Sequence, residues 1–176
     1  MLRGDRRMHA HTNEWVDLID DKDRVHGRVS RAQMRRDNLW HRSVDILCMN
    51  SRGEIYVHRR TKTKDVFPGL YDMFVGGVVG AGEAYDAAAT REIAEELGIV
   101  GAAPERLFQH RYDGPSSKAV IAVYRVVWDG PIKHQPSEVA WGQYCSAAQI
   151  EANRDGWAFV PDGLEVFRRY LAQLRD

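Results

Sequence analysis

Short runs in which apolar and polar residues alternate recur along this chain, and each run predicts a β-strand. The runs lie at residues 15–19, 24–29, 43–49, 54–60, 70–75, 106–112, 119–128 and 139–144. The turn-forming residues 20–23 and 50–53 predict that the first two runs form one hairpin and the next two another.

Helical patterns interrupt these strands at four places. Residues 84–97 contain no helix breaker, and Gly98 follows where a C-terminal glycine belongs. Its buried stripe is predicted to consist of Ala89, Ile93 and Leu97. Ser30 and Gln33 have the spacing of a capping box and predict a short helix, and further helices are predicted at 146–152 and 162–174. The last helix is expected to bury one face, formed by Val166, Tyr170 and Leu174.

Together these elements predict an α+β fold in which a mixed β-sheet is covered by helices on both faces, preceded by a β-hairpin and short helix. A length of 176 residues suits one domain, which we expect to span 14–176. The charged segment 1–13 lacks the apolar stretch of a secretory signal and is expected to be a disordered lead-in.

Composition narrows the possible partners. Lys+Arg 25 balances Asp+Glu 25, and no apolar stretch is long enough for a membrane span, so we expect neither nucleic acid nor a membrane as partner. Cys48 and Cys145 lie in apolar runs and are expected to be buried thiols, which suits a soluble protein of the reducing cytoplasm.

The helix at 84–97 carries the candidate chemistry. Glu92, Glu95 and Glu96 are spaced i, i+3 and i+4, so their carboxylates project from one face of the helix. Carboxylate oxygens gathered in this way favour Mg²⁺, with Mn²⁺ or Ca²⁺ as further possibilities. Gly76 and the small residues around it, placed just before the helix, let the backbone approach a phosphate or direct a carbonyl at a metal.

Taken alone, such glutamates usually form an ordinary solvated face, but here they belong to a longer pattern. Gly77 is followed by five residues, Glu83, seven residues and then Arg91-Glu92-Ile93-x-Glu95-Glu96-x-Gly98-Ile99. This pattern resembles the Nudix box at every fixed position.

The resemblance implies an α/β/α sandwich that hydrolyses a nucleoside-diphosphate-linked or related organic diphosphate with bound Mg²⁺, Mn²⁺ being possible. It implies that Glu92, Glu95 and Glu96 bind metal, that Glu92 or Glu95 also acts in catalysis, and that Arg91 orients the carboxylates. Glu83 and the carbonyl of Gly76 would complete the metal site. Nudix proteins are often dimers, so a homodimer is a further expectation.

Residues ahead of the box resemble the isopentenyl-diphosphate isomerase branch of the superfamily: Arg59, Arg60, Lys64, Pro68, Gly69 and Tyr71. Bacterial isomerases of this type carry Cys-Gly-His where this chain has Gly76-Gly77-Val78, and Met34 replaces one of their metal histidines while His41 matches the other. The loss of this cysteine and of most of the histidine metal site favours a hydrolase over an isomerase.

Residues Arg59, Arg60, Lys64 and Gly77 are the candidates for binding the substrate phosphates. The alternative is that these basic residues are only a solvated strand edge and loop that keep the protein soluble. Glu138, ahead of a strand, is an alternative to Glu92 as the general base. The leading hypothesis is a diphosphate hydrolase acting on a small molecule. An isomerase and a non-catalytic ligand-binding Nudix module remain as alternatives.

Overall fold

The computed structural model describes residues 14–174, so the predicted lead-in at 1–13 lies outside the described residues. The strands in this part of the chain are β1 Trp15–Ile19, β2 Val25–Ser30, β3 Trp40–Met49, β4 Ile55–Arg60, β5 Tyr71–Asp72, β6 Val75–Val78, β7 Glu105–Asp113, β8 Lys118–Val127 and β9 Val139–Cys145. The helices are α1 Arg31–Arg36, α2 Tyr85–Leu97, α3 Ala147–Ala152 and α4 Pro161–Gln173. The predicted elements are therefore present, except that the extended segment 70–75 separates into β5 and the start of β6.

The N-terminal strands form a separate two-stranded antiparallel sheet that supports the loop before α2. The backbone N–H of Ala81 donates to the carbonyl of Trp15, and that of Gly82 donates to the Asp17 carboxylate at 2.7 Å. Met34 of α1 packs with Val16 and Val78 in a small apolar cluster. The extension thus holds the glycine-rich loop against the body of the domain.

The main sheet has seven strands and is mixed, because β3 pairs parallel with β8 and antiparallel with β6. β3 and β4 share only the pair Met49–Ile55, after which β4 pairs with β5 and β9 instead. The hairpin predicted around residues 50–53 is therefore correct at its turn and wrong for its strands, which separate. Beyond that single pair, β3 pairs with β6 at residues 43–46.

Two apolar clusters lie on opposite faces of the sheet. One contains Val44 and Ile46 of β3 with Ile93 and Leu97 of α2, and the other contains Leu47 of β3 with residues of α3 and α4. Burying one such aliphatic side chain contributes about 2 kcal/mol, so α2 is held firmly to one face of the sheet and α3 and α4 to the other. The expected α+β class, with helices covering a mixed sheet, is confirmed.

Three further expectations concern single residues or helices. Val166 and Tyr170 are buried as predicted, but Leu174 is 62% exposed, because it follows the last turn of α4 and extends past the sheet. Cys48 and Cys145 are free and buried. None of the helices between residues 14 and 174 is long and apolar enough to cross a membrane.

Candidate active site

The helix α2 divides its glutamates between the protein interior and the solvent. Glu92 and Glu96 are one turn apart and only 7% and 4% exposed, on the side where Ile93 and Leu97 enter the core. Glu95 projects from the exposed side of the helix. Two of the predicted metal ligands are therefore enclosed by protein, and the third lies at the rim.

Gly77 of β6 faces the Glu92 carboxylate, and Gly76 beside it packs against the backbone of β3. A Cβ atom on Gly77 would lie 2.6 Å from Oε1 of Glu92, and one on Gly76 would lie 1.9 Å from the carbonyl oxygen of Val44. Gly76 therefore requires glycine, because its neighbour is backbone, whereas a side chain at position 77 would have to move the Glu92 carboxylate. The strand backbone touches the Glu92 carboxylate directly, where a larger residue would displace it.

Arg91 binds three carboxylates at once. Its Nε and Nη2 donate to the two carboxylate oxygens of Glu83 at 2.9 and 3.0 Å. Its Nη1 donates to Glu92 at 2.7 Å and to Glu95 at 3.2 Å. Hydrogen bonds to Glu83 raise the pKa of Arg91, and the same bonds hold the pKa of Glu83 below its usual value. Arg91 therefore fixes the orientation of the carboxylates predicted for the site.

The side chain of Glu96 projects from α2 towards the loops that carry Lys64 and Glu138. The Lys64 ammonium is 3.7 Å from Glu96 Oε1 and makes a close hydrogen-bonded ion pair with Glu138. Burial raises the pKa of Glu96 to about 8, against the opposing charge of Lys64. Burial likewise raises the pKa of Glu92, and Arg91 opposes that shift. The buried part of the site thus contains more carboxyl groups than cationic side chains to balance their charge.

This donor set fits a hard divalent cation. Within residues 14–174 no three side chains of the metal-binding types are already gathered into a metal-binding group, because Arg91 and Lys64 hold the glutamates through ion pairs. Glu92 and Glu96 are nevertheless neighbouring buried carboxyl groups whose pKa values are raised by burial, each with one cationic side chain beside it. Oxygen ligands of this kind suit Mg²⁺ or Mn²⁺.

The basic residues ahead of the box are divided between two places. Arg60 donates to the carbonyl oxygens of Val66 and Phe67 and faces the interior. Arg59 is exposed, donates to the carbonyl of Gly69 and lies over the ring of Tyr71. Lys64 is thus brought to the glutamates and Arg60 is held inward by the loop carbonyls. Arg59 lies instead with an outer cluster of aromatic side chains: Tyr71, Trp141, Trp157 and Phe159.

The residues that match the isomerase histidine positions do not form a pair of metal ligands. Met34 is buried in the apolar cluster under the hairpin. His41 is also buried, and its Nδ1 contacts the carbonyl of Leu39 at 2.9 Å. Burial, helped by the nearby charge of Arg35, lowers the pKa of His41 to about 3, so this imidazole is neutral.

Sequence reasoning missed a cavity of about 70 Å³ next to Gly76 and Gly77. Asp45, Asp72 and Asp162 line it, so we refer to it as the aspartate cavity. Burial raises the pKa of all three carboxyls, that of Asp72 to about 7. The available signal was Asp45, an acidic residue between Val44 and Ile46 in an otherwise apolar run.

Comparison with known proteins is consistent with this geometry. The NUDIX domain profile matches residues 39–164. The chain belongs to the Nudix family. An uncharacterized Nudix hydrolase of Streptomyces coelicolor is 46% identical over 162 residues, which cover 91% of this chain and 90% of that protein. The resemblance inferred from the box is therefore confirmed at the level of the superfamily.

Solved structures share the Nudix fold. A crystal structure of a Deinococcus radiodurans protein has a TM-score of 0.76 and 28% identity, covering 89% of this chain and 98% of that one. The NUDIX domain of NrtR from Shewanella oneidensis, solved in complex with ADP ribose, has a TM-score of 0.60 at 15% identity, covering 83% of this chain and 99% of that one. The latter likeness concerns the fold alone.

The contacts of Arg91 lead to a testable expectation for Arg91→Lys. Lysine keeps the charge but lacks the guanidinium fork, so it cannot hold Glu83, Glu92 and Glu95 together. We expect diphosphate hydrolysis to fall roughly 10- to 100-fold, the usual cost of losing a residue that orients metal ligands. Arg125→Lys is the control, because Arg125 is equally exposed at 35% and pairs with Glu105 on the surface. Equal activity of the two variants would contradict the orienting role.

Proposed function

We propose that this protein hydrolyses a diphosphate linkage in a nucleoside-diphosphate-linked or related organic diphosphate, using Mg²⁺ or Mn²⁺. One observation carries the proposal: Glu92 and Glu96 are neighbouring buried carboxylates, Glu92 beside Gly77 and held by Arg91, and Glu96 near the ammonium of Lys64. Membership of the Nudix family supports it. ADP ribose, bound to a neighbour in fold, is itself a diphosphate-linked nucleoside.

Glu92, Glu95 and Glu96 would hold the metal, with Glu83 and the Gly76 carbonyl at its margin. When bound, the divalent cation supplies the positive charge that neutralises the developing charge on the leaving phosphate. Arg91 keeps Glu92 and Glu95 in place through its hydrogen bonds. Because the glutamates are oriented before substrate arrives, little reorganisation is needed during the reaction.

Arg60, Lys64 and Gly77 would bind the substrate phosphates. Lys64 already lies between Glu96 and Glu138, so its ammonium is directed into the site. Gly77 has no side chain beside the Glu92 carboxylate, so a phosphate at Glu92 would lie close to the backbone of β6. Arg59 lies in the outer aromatic cluster, so it would contact only a part of the substrate that extends away from the glutamates.

A proton acceptor must take a proton from the attacking water. Glu92 is the group we propose, because it is buried and touches the strand at Gly77. Glu138 is the alternative, since its carboxylate pairs with Lys64 and lies near Glu96. Glu92→Gln and Glu138→Gln compared across pH distinguish them: loss of the acidic limb of the pH–rate profile identifies the base.

Isomerisation is the less favoured activity on geometric grounds. The cysteine of bacterial isomerases would stand at position 76, where a Cβ atom meets the backbone oxygen of Val44 at 1.9 Å. This backbone therefore admits no side chain at that position. A non-catalytic module is less favoured because the glutamates of the box are all retained.

The test is a panel of organic diphosphates incubated with Mg²⁺ and with Mn²⁺ and assayed by chromatography for the monophosphate products of cleavage. The panel includes sugar nucleotides, dinucleotides, coenzymes and the five-carbon isoprenoid diphosphates. We expect turnover of at least one diphosphate that disappears on removal of metal by EDTA. Absence of turnover across the panel would contradict the proposal, and interconversion of the isoprenoid diphosphates would replace it with isomerisation.

A further inference from the structure

Lys64 places an ammonium group among the carboxylates of the candidate site. Its Nζ lies 3.7 Å from Oε1 of Glu96 and makes a hydrogen-bonded ion pair with Glu138. The side chain of Lys64 is 13% exposed, and those of Glu96 and Glu138 are 6% and 15% exposed, so all three groups are largely removed from water. Lys64 thus supplies positive charge to Glu96, one of the residues proposed to hold the metal.

The backbone around Lys64 is tied down, so its side chain is the part that can move. Thr61, on the same loop, donates its backbone N–H to the carbonyl of Glu138 at 3.0 Å and its Oγ1 to the carbonyl of Ser137 at 2.9 Å. The N–H of Lys64 donates to the carbonyl of Thr61. Lysine carries its charge as a compact ammonium on a flexible four-carbon stem. Rotation about that stem moves the ammonium without separating the two loops.

A divalent cation at Glu96 would compete with this ammonium. A Mg²⁺ ion coordinates carboxylate oxygen at about 2.1 Å, so a metal on the oxygen that faces Lys64 would bring two positive charges close together. Like charges at such a distance repel strongly, most of all away from water. Arg91 does not compete in the same way, because its hydrogen bonds go to Glu83, Glu92 and Glu95.

We propose that the Lys64 ammonium is the resident counter-ion of Glu96 and Glu138 in the metal-free protein, and that a bound divalent cation displaces it towards the substrate phosphates. Metal then binds less tightly than the carboxylates alone would allow, because the ion pairs of Lys64 must first break. The displaced ammonium becomes available to a phosphate, so metal binding prepares the site for substrate. The inference rests on the proposed diphosphate hydrolysis and specifies how its metal and phosphate sites are linked.

Binding of Mn²⁺ without any substrate tests the competition. Lys64→Met keeps an unbranched side chain and removes the ammonium. We expect isothermal titration to show Mn²⁺ bound at least about tenfold more tightly by Lys64→Met than by the wild type, the scale of a hydrogen bond to a charged group. Lys62→Met is the matched control, because Lys62 is exposed on the same loop and its loss changes the net charge equally. Thermal denaturation in EDTA establishes that both variants are folded.

Two results of this titration would overturn the inference. One is an unchanged or weaker affinity for Mn²⁺ in folded Lys64→Met. The other is an equal gain of affinity in Lys64→Met and Lys62→Met, which would mean that only the net charge of the protein matters.

Acylation of the wild-type lysines tests the displacement itself and needs no variant. An amine-reactive ester labels exposed lysines faster than a lysine enclosed in ion pairs, and mass spectrometry of the digested protein measures each site. Without metal we expect Lys64 to be labelled more slowly than the exposed Lys62. Saturating Mg²⁺ is expected to speed the labelling of Lys64 several-fold and to leave that of Lys62 unchanged. Labelling of Lys64 that Mg²⁺ leaves unchanged or slows would refute the displacement.

Failure of this inference is distinguishable from failure of the proposed function, because neither measurement uses a diphosphate. Hydrolysis of a member of the diphosphate panel by a protein whose Lys64 neither weakens Mn²⁺ binding nor responds to Mg²⁺ would refute the inference alone. A Lys64 that does both in a protein that hydrolyses no diphosphate would refute the proposed function and leave Lys64 as the counter-ion of a metal site.

Discussion

Replacing Glu96 with glutamine is expected to lower diphosphate hydrolysis by at least about 100-fold, the usual scale for a group acting directly at a reaction centre. Glutamine has nearly the same shape but carries no charge, so it would bind a divalent cation far more weakly. The measurement is the formation of monophosphate products at saturating Mg²⁺, with Glu105→Gln as the control, because Glu105 is exposed and its ion pair is with Arg125 on the surface. Similar activities of the two variants would exclude Glu96 from the metal site.

The same variant has an expected effect on stability that does not depend on activity. The pKa of Glu96 is raised to about 8 from 4.5, so between these values the folded state retains a proton that the unfolded state has lost. Stability of the metal-free protein should therefore fall as the pH rises from about 5 to 8, and the loss is complete above the folded pKa. Glu96→Gln removes this contribution.

Urea denaturation in EDTA at pH 5 and pH 8 measures the difference. Asp45, Asp72 and Asp162 also have raised pKa values and contribute in the same direction, so the comparison is between the wild type and the variant. We expect the variant to lose less stability than the wild type between the two pH values. An identical loss in both proteins would contradict the burial of an uncompensated Glu96 carboxylate.

Replacing Gly76 with alanine is expected to be the most destabilising of the substitutions considered. The added Cβ would lie 1.9 Å from the carbonyl oxygen and 2.9 Å from the carbonyl carbon of Val44. These are backbone atoms of β3, the strand that pairs with both β6 and β8, and they have no free direction in which to move. We expect a loss of about 3 kcal/mol of folding free energy, the upper part of the range for inserting a methyl group into a packed interior.

Thermal denaturation would detect this loss as a decrease in Tm of roughly 6–12 °C, from about 2–4 °C per kcal/mol in a domain of this size. Gly156→Ala is the matched control, because its Cβ would meet nothing closer than 3.8 Å, the carbonyl oxygen of Asn153. That variant is expected to stay within about 0.5 kcal/mol of the wild type. A small effect at Gly76 would mean that β6 can move away from β3.

The local elements were predictable because their signals lie within a few residues of one another. Ser30 accepts a hydrogen bond from the N–H of Gln33, and Gly98 ends α2 in the left-handed conformation. Both features follow from side-chain length and backbone sterics alone. The separation of β3 from β4 was not predictable in this way, because it depends on which strands compete for each edge.

For the candidate site, too, the local features were predictable from the sequence and the tertiary contacts were not. The box placed Glu92, Glu95 and Glu96 on one helix, and Arg91 next to them, since helical spacing is a local property. Spacing does not indicate which carboxylate is enclosed, and only packing separates Glu96 from the exposed Glu95. Adjacent residues can also point apart: Arg60 faces inward to the carbonyls of Val66 and Phe67, whereas Arg59 lies over Tyr71, because neighbours along a strand point to opposite sides.

The sequence by itself determined the superfamily, the class of fold and the positions of the box residues, because these depend on fixed spacings within one short segment. Only the tertiary structure brought Asp45, Asp72 and Asp162 around one cavity, and Lys64 and Glu138 to Glu96. Those residues come from β3, β5, α4 and two loops that are far apart in the chain. These residues come together only once the strands are paired in their final order, in which β3 and β4 share a single pair. That order depends on pairing across the whole sheet.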